Sequence, residues 1–297
     1  MHEITSAYNA RVKFWASLKL AKYRQESGLF LVEGTRAVAE ALLTGHTPEA
    51  IIYGAQSLRT DRARHLIDTA PAHLLYQVSE AALRRLSVRN DPAEIFAVCQ
   101  PVDVPLDGLD LPANPLCVVL DEPHGPGNLG VTLRVADGVG ADAVIIIEPA
   151  VDLYNPAAVG AAVGSLFGLP IARAPDRATF LTWYGATWGA RPDTRCVATL
   201  PEAEQDYSAL ADLEHPLFVL FGNEERGLAP ELQQQANVEV CIRMLGRADS
   251  LNTASAVAVI LCDIVRKRGR GRYSTPQHTR VPAGFEQPRP SPPPHHL

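Results

Sequence analysis

The chain has 297 residues, of which 46% are hydrophobic, and a mean hydropathy of −0.02; this is the composition of a globular protein with one large or two ordinary domains. It has no apolar run of the roughly 18 to 20 residues that a membrane span needs, and its polar start lacks the apolar core of a secretory signal, so we expect a cytoplasmic protein. The net charge of −6 argues mildly against a nucleic-acid partner, because domains that bind phosphate backbones are usually basic.

The cysteines are odd in number and widely spaced, with no C-x-x-C pair and no neighbouring pair of histidines. They are Cys99, Cys117, Cys196, Cys241 and Cys262. Most of them stand in apolar runs, which favours small buried hydrophobic residues over metal ligands or disulfides. We therefore predict no metal site.

Short apolar runs alternate with helical patterns through the first hundred residues. Residues 9–23 have the spacing of an amphipathic helix, which Gly28 is expected to end. Further strands are predicted at 29–32, 51–53, 73–78 and 96–99, and further helices at 36–43, capped by Thr35, at 57–69 and at 80–86. This alternation predicts a small α/β/α domain at 1–104, followed by a Pro- and Asp-rich linker at 105–115.

The same alternation continues in a second predicted domain at 116–272. Strands are expected at 116–121, 144–148, 171–173, 195–199, 217–221 and 238–244, and helices at 129–139, 157–167, 178–184 and 253–266. Strands that alternate with helices indicate parallel βαβ winding, so the predicted fold class is α/β. Residues 273–297 are rich in Pro and poor in apolar residues, which predicts a disordered tail.

Small and polar residues follow two of these strands. The segment GNEERG at 222–227 comes directly after an apolar run, and the polar loop at 247–250 follows the next strand and leads into the last helix. Ligands of open α/β sheets bind in the crevice beyond the carboxyl ends of the strands. We expect the functional site there.

A glycine pattern earlier in the chain offers a rival interpretation. Residues 125–130 spell G-x-G-x-x-G between a strand and a helix, and Glu148 ends the next strand, as in a dinucleotide-binding oxidoreductase. However, Asp121 to His124 lengthen the turn, whereas that fingerprint needs a tight turn before the helix N-terminus. This interpretation also leaves the polar loops around 224 and 250 without a role.

Three motifs resemble those of the SpoU/TrmH branch of SPOUT methyltransferases in their order and spacing. They are N-x-G-x-x-x-R (Asn128, Gly130, Arg134), G-N-E-x-x-G-L (Gly222, Asn223, Glu224, Gly227, Leu228) and I-x-M-x-G-x-x-x-S-L-N (Ile242, Met244, Gly246, Ser250, Leu251, Asn252). The resemblance covers roughly residues 115–268. It implies S-adenosylmethionine-dependent methylation of a ribose 2′-hydroxyl of RNA by a homodimer whose catalytic domain contains a trefoil knot.

The first domain is similar to the L30e-like RNA-binding domain of rRNA-directed family members, which implies 23S rRNA as the substrate. Basic residues cluster near both ends of the chain, the second cluster being Arg266, Lys267, Arg268, Arg270 and Arg272. Either cluster alone equally fits a solvated face. Combined with the resemblance, they favour phosphate contacts, and the predicted RNA-binding residues are Arg11, Lys13, Lys19, Lys22, Arg24 and Arg36.

The resemblance also implies roles for individual residues. The implied catalytic residues are Arg134, Asn128, Glu224, Ser250 and Asn252, and the implied cofactor-binding residues are Leu200, Leu220, Gly222, Asn223, Ile242, Met244 and Leu251. In the family this arginine activates the hydroxyl. Because arginine stays protonated, we expect Arg134 to hold the adjacent phosphate and lower the pKa of the ribose hydroxyl. Ser250 also suits the cap of the last helix.

Three departures from the family pattern bear on substrate choice or cofactor affinity more than on chemistry. Arg243 stands where proline is usual, Ala254 follows Thr253 in place of a Val-Ser pair, and Ala162 stands where serine is frequent. Two alternative functions stay open, a tRNA 2′-O-methyltransferase and a catalytically inactive RNA-binding protein. Nothing in the residues separates a housekeeping rRNA site from an antibiotic-resistance site.

Overall fold

The computed structural model describes residues 2–211 and 213–269, which form two α/β sheets one after the other along the chain. The tail predicted at 273–297 and the basic residues Arg270 and Arg272 lie outside the described residues. Both sheets have helices on each face, as the alternation of strands and helices predicts.

The first sheet has five strands in the order β1-β4-β3-β5-β2. The strands are β1 (His2–Ile4), β2 (Phe30–Glu33), β3 (Ala50–Tyr53), β4 (Leu75–Val78) and β5 (Ile95–Cys99), and the helices are α1 (Ala10–Ser17), α2 (Ala21–Ser27), α3 (Thr35–Leu43), α4 (Asp61–Thr69) and α5 (Glu80–Leu86). Alternate strand residues face opposite sides of the sheet. One side packs against α1 and α5, the other against α3 and α4.

Local backbone geometry corrects two of the predicted helices here. The helix expected at 9–23 is divided, because Leu20 is extended and starts α2 anew. Gly28 ends α2 with φ of 65°, as expected of a left-handed glycine cap. The cap of α3 is Gly34 and not Thr35, which is already inside the helix.

The second sheet has seven strands in the order β12-β10-β11-β7-β8-β9-β6, and all its pairs are parallel. The strands are β6 (Val104–Pro105), β7 (Leu116–Asp121), β8 (Ala143–Ile147), β9 (Ile171–Ala174), β10 (Arg195–Thr199), β11 (Leu217–Phe221) and β12 (Val238–Val240). The helices are α6 (Pro126–Gly138), α7 (Pro156–Ala162), α8 (Ser165–Gly168), α9 (Arg177–Tyr184), α10 (Pro230–Gln233) and α11 (Thr253–Lys267). The predicted parallel sheet is confirmed.

The strand order places β11 beside both β7 and β10 at the centre of this sheet. Helices α6, α7 and α11 pack on one face and α9 and α10 on the other. The loops that follow β7, β10, β11 and β12 therefore leave the same edge of the sheet, because the strands run parallel. The strand order does not itself establish a knot, and the threading of the chain stays a prediction.

The segment predicted as a linker is partly built into the second sheet. β6 pairs with β9, and Leu106 is buried beneath it. The hydroxyl of Tyr154 accepts hydrogen bonds from the backbone N–H groups of Val102 (2.7 Å) and Asp103 (3.0 Å). The connection is thus fixed by packing and hydrogen bonds.

The two sheets also share one apolar core, where Phe30 of β2 lies 4.5 Å from Tyr154 and 6.2 Å from Phe167, measured between ring centroids. Arg24, predicted to bind RNA, is only 7% exposed at this junction. Its guanidinium pairs with Asp152 and donates to the carbonyl of Leu18 (2.7 Å). The prediction for Arg24 is corrected: its side chain holds the two sheets together and is not accessible to RNA.

Candidate active site

A cavity of about 340 Å³ lies at the carboxyl ends of β10, β11 and β12 and at the start of α11. Among its lining residues are the apolar Leu200, Phe221, Leu228, Ile242, Met244 and Leu251, and the charged Glu202, Glu224, Arg226 and Asp249. Three of these charged side chains are acidic and one is basic, so the lining favours a ligand that carries positive charge.

The turn after β11 forms one wall of this cavity. Asn223 and Gly227 exchange two backbone hydrogen bonds of 3.0 and 2.9 Å, which close the turn tightly. A Cβ atom placed on Gly222 would lie 2.3 Å from the carbonyl carbon of Gly227 and 2.3 Å from the nitrogen of Leu228. Only glycine fits at position 222, because both neighbours are backbone atoms that cannot rotate away.

Side chains of this turn bind the loop that follows β7. The amide nitrogen of Asn223 donates to the carbonyl of Glu122 (2.7 Å) and lies 2.9 Å from Nδ1 of His124. The carboxylate of Glu224 accepts from Nδ2 of Asn128 (3.2 Å) and from the backbone N–H of His124 (3.4 Å). Two of the predicted catalytic residues, Asn128 and Glu224, are therefore in direct contact.

The last glycine of the pattern at 125–130 serves helix packing. A Cβ atom on Gly130 would lie 2.3 Å from the carbonyl oxygen of Ala158, so this glycine lets α6 approach α7. Glu148, the acidic residue of the dinucleotide interpretation, pairs with Arg173 and accepts from the N–H of Ala150 (2.5 Å). This carboxylate is already occupied within the protein.

A charge network supports the loop after β7, and nothing in the motifs indicated it. Arg177 of α9 donates to Asp121 (2.7 Å) and pairs with Glu122 (2.6 Å), both of which are buried. Asp121 also accepts from the N–H of Ala229 (3.0 Å). Burial acts to lower the pKa of Arg177, but the hydrogen bond and charge of Asp121 and the charges of Glu122 and Glu231 outweigh it and raise that pKa. In the sequence, the feature that could have indicated this network is the pair of consecutive carboxylates, Asp121 and Glu122, at the end of an apolar strand.

Replacing Arg177 with methionine is expected to lower the free energy of unfolding by about 2 kcal/mol, since it leaves the buried Asp121 without its cation and Glu122 with only the exposed Arg226, 3.5 Å away. Urea denaturation at neutral pH measures this. The matched control is Arg59→Met, because the pair between Arg59 and Asp91 is exposed and worth at most about 1 kcal/mol. Equal losses for both variants would contradict a structural role for the buried network.

Most of the predicted cofactor residues line the cavity. They are Leu200, Gly222, Asn223, Ile242, Met244 and Leu251. Leu220 does not line the cavity, since its side chain is fully buried in β11, in the apolar core that includes α9. Its role in cofactor binding stays a prediction that rests on its backbone groups.

The predicted catalytic residues are distributed between the cavity and its surroundings. Ser250 lines the cavity beside Glu224. Asn252 caps α11, since its side-chain oxygen accepts from the N–H of Ser255 (2.8 Å); Ser250 is therefore not that cap. Arg134 is exposed on α6 and is not part of the cavity lining.

The exposed face of α6 includes Arg134. Gly127, Val131, Arg134 and Gly138 follow each other at intervals of three or four residues and are all exposed, with Val131 at 41%. This spacing puts them on one face of the helix. We refer to these four residues as the α6 stripe.

The remaining basic residues differ in accessibility. Lys19 is half-buried and donates to the carbonyls of Arg85 (2.7 Å) and Ser87 (3.3 Å), so its ammonium is engaged within the first sheet's helices. Arg11, Lys13, Lys22 and Arg36 are exposed. Near the other end, Lys267 and Arg268 donate to backbone carbonyls between β10 and β11.

The departures from the family pattern have different surroundings. Arg243, in the loop after β12, donates to the carbonyl of Glu204 (2.8 Å), while Ala162 and Ala254 are buried in helix packing. Burial raises the pKa of the Cys99 and Cys196 thiols to about 12, so both stay protonated.

No helix among residues 2–211 and 213–269 is long and apolar enough to cross a membrane. Within the same described residues, no three His, Cys, Asp or Glu side chains come together as metal ligands.

Comparisons with known proteins agree with this architecture. Residues 115–262 match the SpoU rRNA Methylase family, and residues 9–97 match the MRM3-like substrate binding domain. The 23S rRNA (uridine(2479)-2′-O)-methyltransferase of Streptomyces viridochromogenes is 34% identical over 272 residues, which span 90% of this chain and 93% of that protein. The 23S rRNA (guanosine(2553)-2′-O)-methyltransferase RlmP of Bacillus subtilis is 28% identical, over 88% of this chain and 98% of its own.

A solved structure covers both sheets. The SpoU methyltransferase AviRb from Streptomyces viridochromogenes, in complex with the cofactor AdoMet, has a TM-score of 0.77 and 32% identity, and the match covers 89% of this chain and all of that one. The similarity thus extends over both sheets and is not confined to the three motifs.

Proposed function

The chain belongs to the SpoU rRNA methylase family, and we propose that it transfers a methyl group from S-adenosylmethionine to a ribose 2′-hydroxyl of 23S rRNA. The observation that carries this proposal is the contact between Asn128 and Glu224 at the rim of the cavity, which Glu224 and Gly222 line. It joins the first two sequence motifs in space. Relatives that span nearly the whole chain are 23S rRNA 2′-O-methyltransferases, which supports this substrate class.

The cavity suits the proposed cofactor. Gly222 lines it in a turn that closes only without a Cβ atom, and the apolar ends of β10, β11 and β12 suit an adenine whose polar edge faces backbone groups. The excess of carboxylates in the lining complements a cofactor with a sulfonium and an ammonium group. When bound, S-adenosylmethionine supplies the methyl group on its sulfonium sulfur.

The remaining tasks fall to side chains at the rim. The target hydroxyl oxygen must be aligned with the methyl group, and its proton must leave as the new C–O bond forms. We propose that Asn128 and Glu224 orient the ribose and that Ser250 contacts it. Arg134 holds the adjacent phosphate and lowers the pKa of the hydroxyl, while the proton leaves through phosphate or water.

This role for Arg134 requires a second subunit. Arg134 lies outside the cavity formed by its own chain, and the α6 stripe around it presents an exposed valine and two glycines. Leu245, in the loop before α11, is 99% exposed. We propose a homodimer in which the α6 stripe faces the partner and Arg134 reaches the partner's cofactor cavity.

The roles of the two domains and the cellular location belong to the same proposal. We propose that residues 1–104 recruit the RNA, that 116–272 form the knotted methyltransferase domain, and that the protein acts in the cytoplasm. The contacts of Arg24 and Phe30 support a fixed arrangement of the two parts around the RNA.

The deciding experiment incubates the protein and labelled S-adenosylmethionine with unmodified 23S rRNA, 16S rRNA and bulk tRNA, followed by mapping of the 2′-O-methyl position. We expect one methylated nucleotide in 23S rRNA. Methylation of tRNA alone would replace the rRNA assignment with the tRNA alternative. Cofactor binding without methylation of any RNA would favour the catalytically inactive RNA-binding protein.

A further inference from the structure

Exposed aromatic rings and basic side chains lie together on the α1 and α5 side of the first sheet. Tyr8, in the loop between β1 and α1, is 75% exposed, and Phe14 of α1 is 40% exposed. The guanidinium of Arg85 lies over the Tyr8 ring, 5.4 Å from its centroid. The α1–α5 surface comprises Tyr8, Arg11, Lys13, Phe14, Arg84 and Arg85.

This surface is basic although the whole chain is acidic. α1 contains no acidic residue. α5 contains only Glu80, which lies 3.8 Å from Arg84, and Glu3 of β1 is the other carboxylate on these elements. These elements therefore carry four cations of the α1–α5 surface (Arg11, Lys13, Arg84 and Arg85) and two carboxylates, in a chain with a net charge of −6. Positive charge concentrated in this way indicates a polyanionic partner.

The aromatic and basic groups are held in place by the protein itself. Arg85 donates to the carbonyl of Ala7 (3.2 Å), and its own carbonyl accepts from Lys19 (2.7 Å). Arg11 donates to the hydroxyl of Tyr76 and lies 5.1 Å from that ring's centroid. Little conformational freedom is lost when a ligand binds such a preformed surface.

We propose that the α1–α5 surface binds unpaired nucleotides of the RNA substrate, with a base stacked on Tyr8 and the neighbouring phosphates on Arg11, Lys13 and Arg84. Aromatic rings flanked by cations are the arrangement by which proteins bind single-stranded RNA, since every base has a face that stacks. The proposal rests on the proposed function for the identity of the RNA.

The α1–α5 surface lies at the edge of the first sheet that is farther from the second sheet and its active site. β1 is the edge strand of the first sheet farthest from β2, and β2 is the strand that packs against α7 of the second sheet. Tyr8 follows β1 directly. We therefore expect the bound nucleotides to be a separate segment from the nucleotide that enters the active site of the same subunit.

The test uses the full chain with Tyr8→Ala and Tyr8→Phe, and an in vitro transcript of 23S rRNA. Filter binding gives the Kd of the transcript, and labelled S-adenosylmethionine gives kcat and KM. For Tyr8→Ala we expect Kd and KM for the transcript to rise about tenfold, with kcat within about twofold of the unaltered protein. Tyr8→Phe keeps the ring and is expected to bind normally.

The matched control is Arg64→Ala on α4, on the opposite side of the sheet, which is expected to leave Kd unchanged. A Kd for Tyr8→Ala within about twofold of the unaltered protein would overturn the proposal, as would equal losses for Tyr8→Phe, which would mean that the hydroxyl and not the ring is needed. If the unaltered protein binds the transcript without methylating it, the proposed function fails. The Kd values of the variants then still test whether the α1–α5 surface binds RNA. If the unaltered protein does not bind, both fail.

Discussion

Replacing Gly222 with alanine is expected to raise the Kd for S-adenosylmethionine by about a hundredfold. The added Cβ atom would lie 2.3 Å from two backbone atoms of the turn at Gly227 and Leu228, so the turn must open. Overpacking of this kind costs about 2 to 3 kcal/mol, which corresponds to roughly this factor in affinity. Isothermal titration calorimetry of the purified variant measures it directly.

Gly185→Ala is the matched control, because nothing lies within 4 Å of a Cβ atom on this glycine, which has helical backbone angles and lies outside the α6 stripe. We expect normal cofactor affinity and a stability gain of up to about 1 kcal/mol, from the higher helix propensity of alanine. Thermal melts of both variants separate a local opening of the turn from unfolding. Normal cofactor affinity in Gly222→Ala would show that this turn does not form the cofactor site.

The second sheet was predictable because its strands are buried on both faces and appear in the sequence as continuous apolar runs, as Leu217–Phe221 does. Strands without that signal were missed. β1 has three residues, two of them exposed, and β6 has only two. Both are defined by pairing with a neighbouring strand, which a local pattern does not record.

Helix boundaries were less predictable for a related reason. The apolar spacing of residues 9–23 continues across the break before α2, so periodicity alone predicts one helix. The helix expected at 157–167 is likewise divided, because Val163 and Gly164 adopt left-handed backbone angles. Gly164 has φ of 101°, a conformation that the sequence pattern does not reveal.

The motifs identified the loops of the site but not their supports. Glu224 and Asn128 were both implied to be catalytic by separate motifs, and a hydrogen bond joins them. The partner of Asp121, by contrast, is Arg177, which is 56 residues away along the chain. The role of Arg24 was misread for the same reason, since its partner Asp152 belongs to the other sheet.

Replacing Arg134 with alanine is expected to lower kcat for rRNA methylation by roughly a hundredfold to a thousandfold, the order of loss found when one hydrogen-bond donor that stabilises developing negative charge is removed. Arg134→Lys is expected to lose most of this activity as well, because a single ammonium cannot reproduce the two-pronged contact of a guanidinium with phosphate. Cofactor affinity should not change, since the group that Arg134 is proposed to hold is a phosphate of the RNA and not the cofactor. Near-full turnover by Arg134→Lys would show that the fork-shaped donor is not needed.

A mixture of two inactive variants tests whether Arg134 acts across the subunit interface. In a heterodimer of Arg134→Ala and Gly222→Ala, one site combines the intact Arg134 of one chain with the intact turn of the other. Random pairing makes half of the dimers mixed, each with one working site, so about a quarter of normal activity should return on co-refolding. Light scattering of each variant alone must first give a dimer mass. If both variants are dimers and the mixture stays inactive, Arg134 serves the cavity of its own chain, and the proposed arrangement of the α6 stripe is wrong.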